Sequence, residues 1–144
     1  MIIEVASEQE TKSLARTLGA TLHGGEVFQL IGDVGAGKTT FVKGLAEGLA
    51  IHDDVQSPSF TISRQYEARD GLQLVHYDFY RLADPGIMAN ELHEMVNDQK
   101  TVTVIEWADI VEGVLPERHF TIRFTAPTET TRTIDLPNPL GARL

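Results

Sequence analysis

Gly32, Gly37, Lys38 and Thr39 stand at the spacing G-x-x-x-x-G-K-[ST]. Each residue type in that pattern has a chemical task. The glycines let the backbone fold tightly around a phosphate chain, so that N–H groups and the positive end of the following helix face its oxygens. Lys38 adds a mobile charge on the β and γ phosphates, and the Thr39 hydroxyl is suited to ligating Mg2+. The loop lies between an apolar run at 27–31 and a helical pattern of Phe41, Val42, Leu45 and Leu49. That context makes a chance glycine-rich turn a poor account of it. A dinucleotide loop fits worse, because Thr40 follows Gly35 and Gly37 where G-x-G-x-x-G needs its third glycine.

Mg2+ held by one hydroxyl and two phosphate oxygens still needs an anion at a neighbouring strand end to fix its waters. Two acids occupy such positions. Glu106 follows the apolar run 102–105, and Asp78 ends the strand-like run that includes His76 and Tyr77. Either one alone reads equally well as a surface or capping carboxylate. Beside a phosphate loop, Glu106 is assigned to the metal and Asp78 to the metal's water shell or to the attacking water.

Other signals fail or stay open. His93 and Glu94 begin H-E-x-x-H, but position 97 is Asn97, so no second zinc ligand follows one turn later. The five histidines are scattered, and each reads as a surface or packed imidazole. Residues 97–100 do not spell N-K-x-D, so nothing specifies guanine and ATP is the default nucleotide. Residues 57–61 (SPSFT) offer hydroxyls where such proteins place a segment that senses the γ-phosphate; an ordinary strand entry explains them as well. Trp107 reads as a packing residue. No arginine is placed as an obvious finger, Arg81 being nearest in sequence to a candidate acid.

The elements that must position these residues follow from periodicity. Ile2, Ile3 and Val5 make a short strand, and Ser7 with Glu10 has capping-box spacing ahead of a helix faced by Leu14, Ala15 and Leu18. Strand, glycine loop and helix then run in order through 27–49. Asp70 and Gly71 mark a hairpin turn between β-leaning stretches at 60–68 and 72–77. A helix is expected to open at Asp84 and Pro85 and run to about Val96, a strand over 101–105, and late strands at 120–124 and 131–136. The fold class expected is α/β, a P-loop NTPase-like three-layer domain with a mixed, partly antiparallel sheet. One domain is expected over 1–137, with a flexible tail at 138–144.

At 144 residues the chain is long enough to bury about two-thirds of its unfolded surface and too short for a (β/α)₈ barrel. It holds no cysteine, which excludes disulfides, thiolate zinc sites and thiol nucleophiles. The opening residues lack the regions of a signal peptide and no apolar run is long enough to cross a bilayer, so a cytoplasmic location and no membrane contact are expected. The formal net charge is −9, which disfavours direct binding to DNA or to a bare RNA backbone. Much of the excess is regional: residues 82–117 hold eight acids against one base, Lys100. A basic partner surface is the natural complement of that stretch.

Taken in order, the phosphate loop, SPSFT at 57–61, HYDFYRLADP at 76–85, the Ile105, Glu106, Trp107 run and Leu115 with Pro116 resemble the TsaE (YjeE) family. The likeness covers roughly residues 5–125. This family is the small ATPase of tRNA threonylcarbamoyladenosine biosynthesis, the modification of the adenosine beside the anticodon. The resemblance implies ATP and Mg2+ as cofactors and an accessory role that lets the two-protein transferase core, of TsaD and TsaB type, turn over. Contact with tRNA would then be indirect. It also implies Lys38 as the phosphate lysine, Thr39 and Glu106 as Mg2+ ligands, and Asp78 as an acid needed for turnover. Thr40 and the backbone of Gly35, Ala36 and Gly37 would join the phosphate cradle, residues 57–61 would form a switch-like segment, and Thr11 would lie near the nucleotide. Two departures stand out: Ser59 replaces the usual threonine, and residues 86–99 lack the family's glycine-aromatic stretch.

Hydrolysis is expected to be slow without partners. A small-molecule kinase on the same fold is one alternative, weakened by the lack of a basic lid in 82–117. A non-hydrolytic module that uses bound ATP only to shape residues 57–63 is another.

Overall fold

A computed structural model describes residues 1–33, 35–56, 58, 62–80 and 86–144. Seven strands form one mixed sheet among them: β1 (Ile2–Val5), β2 (Val27–Ile31), β3 (Ser63–Glu67), β4 (Gln73–Asp78), β5 (Thr101–Glu106), β6 (Phe120–Thr125) and β7 (Arg132–Asp135). Their spatial order is β1-β7-β6-β2-β5-β4-β3. The central four, β6-β2-β5-β4, run parallel, and antiparallel pairs close both edges. Four helices accompany them: α1 (Glu8–Gly19), α2 (Lys38–Gly48), α3 (Met88–Val96) and a short α4 (Asn138–Gly141).

The strands alternate their burden between two faces, as a pleated strand must. Phe28, Leu30, Leu74, Val102 and Val104 join Ala15, Leu18, Phe41 and Leu45 of α1 and α2 in one cluster. Val27, Val75, Tyr77 and Ile105 meet Leu92 and Val96 of α3 on the opposite face. Three layers result. All six residues of β5 are buried, as suits a parallel strand covered on both sides.

Local chemistry starts and stops the elements. Ser7 caps α1 by accepting from the Glu10 N–H at 3.2 Å, while the Glu10 carboxylate accepts from Ala6, one residue before the cap, at 2.6 Å. The hairpin between β3 and β4 turns through Asp70 and Gly71 at φ 58° and 74°, the left-handed pair that an Asp-Gly turn supplies. Arg69, beside that turn, places Nη2 within 3.1 Å of the carbonyl oxygens of Gly19, Ala20 and Leu22, and so satisfies the chain end of α1. Asp98 shapes the entry to β5, accepting from Lys100 N at 3.0 Å and the Thr101 hydroxyl at 2.9 Å. Those two bonds hold its carboxyl below the usual carboxylate range.

Two expectations change. The segment 138–144 is not a loose tail: it forms α4, buries Leu140 completely, and brings Arg143 to 3.3 Å from Glu26. Leu140 joins the larger core cluster, which gives the segment an apolar reason to stay packed. The helix expected from Asp84 begins at Met88 among the described residues; positions 84 and 85 lie outside them. No helix among the described residues is long and apolar enough to cross a membrane.

Candidate functional site

The parallel order β2-β5-β4 sets three carboxyl strand ends side by side, and each supplies part of one site. The glycine loop leaves β2. Register pairs Leu30 with Glu106 and Glu106 with Asp78, so the two acids end neighbouring strands at the same level. Strand alternation turns both toward the face covered by α2, whose first residues are Lys38, Thr39 and Thr40. Lys38, Thr39, Asp78 and Glu106 accordingly line one cavity of about 300 Å3 together with Gly35, Gly37 and Thr40.

Gly35 and Gly37 have φ of +84° and +105°, a region that side chains other than glycine rarely adopt. A Cβ at either position would meet nothing within 4 Å, so these glycines serve the backbone shape and leave the loop's concave side open. Ala36 differs: its methyl is buried in the core beneath the loop. The loop backbone and the first turn of α2 therefore form a cradle suited to an anion.

Three buried charges meet at the floor. Lys38 Nζ donates to the Gly32 carbonyl at 2.5 Å, lies 3.8 Å from Glu106 Oε1, and sits 4.3 Å from the centroid of the Trp107 ring. Lys38 and Glu106 are about 5% exposed, so their attraction is screened little by water. Asp78 is also buried, and its Oδ1 accepts from Tyr80 N at 2.9 Å. His76 is completely buried with Nε2 2.6 Å from Glu106 Oε2.

Thr11 is not in this cavity. It is buried in α1, with its hydroxyl 3.4 Å from the Ser7 carbonyl, and lines an adjoining cavity of about 290 Å3 with Gly35, Gly37, Thr40 and Arg132. Glu8, Gly35, Gly37 and Thr40 line both spaces. Apart from Pro58, the segment 57–61 lies outside the described residues, as does Arg81.

The donor set suits Mg2+. That ion is held by one or two protein oxygens plus phosphates and water rather than by an all-protein cage. Thr39 and Glu106 offer one hydroxyl and one carboxylate on a single cavity wall, with Asp78 beside them.

The family model described as TsaE, threonylcarbamoyl adenosine biosynthesis protein TsaE, matches residues 5–134. The chain belongs to the TsaE family. It is 44% identical over 115 residues to the tRNA threonylcarbamoyladenosine biosynthesis protein TsaE of Bacillus subtilis (strain 168), covering 79% of this chain and 70% of that one. It is 38% identical over 128 residues to the protein of the same name from Treponema pallidum (strain Nichols), covering 89% and 93%. The crystal structure of Bacillus subtilis YdiB superposes with a TM-score of 0.76 at 33% identity, covering 99% of this chain and 90% of that chain. The expected fold class stands: a mixed α/β sheet in the P-loop NTPase-like arrangement. TsaE-family proteins take part in tRNA threonylcarbamoyladenosine biosynthesis, and this chain shares their fold and most of their length.

Two site residues escaped the sequence. His76 reads there as an ordinary packed imidazole, yet its ring contacts Glu106; a signal existed, since a residue two before Asp78 on a strand shares its face. Trp107 reads as packing, yet it lines the cavity, touches Lys38, and lies 4.7 Å from the Tyr80 ring. Its φ of 56° and ψ of 53° put a bulky residue in the left-handed region, directly after Glu106. No one-dimensional pattern announces that conformation.

Proposed function

We propose that this chain is an Mg2+-dependent ATPase of the cytoplasm that acts as an accessory subunit in tRNA threonylcarbamoyladenosine synthesis, supporting turnover of a two-protein transferase core of TsaD and TsaB type. The observation that carries the reading is the convergence of Lys38, Thr39, Asp78 and Glu106 on one cavity under the glycine loop.

Each side chain has a task that its position allows. The amides of Gly35 to Gly37 and the start of α2 receive phosphate oxygens, with Thr40 and, toward the nucleoside, Thr11 completing the binding surface. Lys38 neutralises phosphate charge from a buried position, where its attraction is strong. The Thr39 hydroxyl and the Glu106 carboxylate would hold Mg2+. When bound, that ion draws charge off the phosphate oxygens and orders the leaving and attacking groups. Asp78, buried and oriented by the Tyr80 N–H, is placed to accept a proton from, and aim, a water molecule. A binding module needs one metal-side acid; two adjacent buried acids favour hydrolysis. The acidic stretch at 82–117 and the net charge of −9 favour a basic partner protein and leave tRNA contact to the partners.

The test measures phosphate release from ATP and repeated rounds of tRNA modification with the two core proteins present. Lys38→Ala and Glu106→Ala are expected to lower both by roughly a hundredfold or more. A Glu106→Ala protein that hydrolyses ATP at the wild-type rate would remove the metal assignment. Equal stimulation by ATP and by a non-hydrolysable analogue would replace hydrolysis with nucleotide sensing.

A further inference from the structure

His76 has no part in the reading above, and its surroundings single it out. It is 0% exposed, and among the described residues its one polar contact is Glu106 and its Nδ1 has no hydrogen-bond partner. An imidazole kept only for packing would be cheaper as leucine, because a buried polar atom without a partner carries a desolvation penalty. The contact with Glu106 is the compensating interaction.

Geometry assigns the proton. An ionised carboxylate only accepts, so Nε2 is the donor and Oε2 the acceptor across 2.6 Å. The other oxygen, Oε1, is 3.8 Å from Lys38 Nζ, at the cavity. The two oxygens of Glu106 thus have different occupations, one tied back into the sheet and one presented to the site. Backbone register makes this arrangement rigid: Asp78 pairs with Glu106 and His76 with Val104, so β4 carries the ring one pleat behind the carboxylate on the same face.

We propose that His76 is a positioning residue for the metal site: its Nε2–H pins Oε2 of Glu106 and so aims Oε1 at the Mg2+ that accompanies the nucleotide. This rests on the reading of Glu106 as a metal ligand. Groups that orient a metal ligand without touching the metal typically carry about 10- to 100-fold in metal affinity.

The experiment titrates Mg2+ against nucleotide binding, read from the emission of the single tryptophan, Trp107, with nucleotide affinity in EDTA measured alongside. Four proteins are compared: wild type, Glu106→Gln, His76→Leu and His76→Gln, the last of which keeps a donor near the Nε2 position. The expected result is that His76→Leu needs at least about tenfold more Mg2+ for half-saturation. It should bind nucleotide in EDTA as wild type does, and His76→Gln should stay near the wild-type Mg2+ requirement. Should the leucine variant fail to fold, His76→Asn takes its place, since its shorter amide keeps the polarity but falls short of Glu106. Wild-type Mg2+ dependence in His76→Leu or His76→Asn overturns the proposal, as does equal loss in His76→Gln and His76→Leu, which would make the ring a packing element. If Glu106→Gln keeps the wild-type Mg2+ dependence, the metal reading of Glu106 fails and the positioning role fails with it.

Discussion

Glycine is required at position 37 for two separable reasons. Its φ of +105° strains any residue with a Cβ by about 1–2 kcal/mol, and the space such a carbon would enter is the open side of the cradle. Gly37→Ala is therefore expected to raise the nucleotide dissociation constant at least about tenfold while lowering the melting temperature by only a few degrees. Titration of Trp107 emission together with a thermal melt checks this, and unchanged affinity would show that the left-handed turn is dispensable. Trp107 has the opposite logic, holding a left-handed conformation in spite of its bulk. Its ring is retained between Lys38 and Tyr80, which compensates strain of order 1–3 kcal/mol. The loop residues were legible in sequence because their meaning is local. His76 and Trp107 were not, because each acquires its role from a side chain on another element.

Helix α2 shows how an element can look weak in sequence and be well suited in the fold. Gly44 and Gly48 lower its intrinsic propensity by about 1 kcal/mol each relative to alanine. Both face α1, and a Cβ on Gly44 would lie 2.5 Å from the Lys12 carbonyl oxygen and 2.6 Å from Ala15 Cβ. The helices approach so closely that only hydrogen fits between them. Gly44→Ala is expected to destabilise by about 1–3 kcal/mol despite the better propensity, because the obstructing atoms are largely backbone and cannot rotate away. Denaturant unfolding decides it; a stabilised variant would mean that the helices separate at little cost. Periodicity located α1, α2, the hairpin and β5 in advance, since their burial patterns repeat at 3.6 or 2 residues. The helix pair's close contact was hidden because a glycine in a pattern does not say what faces it.

At the scale of the molecule, the last residues tie the chain's end to the core and to the entry of β2. Leu140 is fully buried in the larger cluster and Arg143 reaches Glu26, which also accepts from the backbone N–H groups of His23 and Gly24 ahead of β2. Leu140→Ala is expected to cost about 2–5 kcal/mol and to lower the melting temperature by more than about 5 °C. A melt indistinguishable from wild type would restore the flexible-tail expectation. The sequence does not announce this packing, because one leucine beside proline, glycine and polar residues has no period to detect and its partners lie on distant segments.

Residues 32–39 with their flanking strand and helix were decidable in one dimension, because phosphate-binding chemistry needs its glycines, lysine and hydroxyl within a single turn of chain. The same holds for the alternation of strands and helices, whose periods are short. Strand order is a different kind of fact. Only the placement of β5 between β2 and β4 brings Glu106 to Asp78, to Lys38 and, one pleat back, to His76. Those contacts join residues 28 to 68 positions apart, and at such separations the chain's local preferences do not say which strand lies beside which.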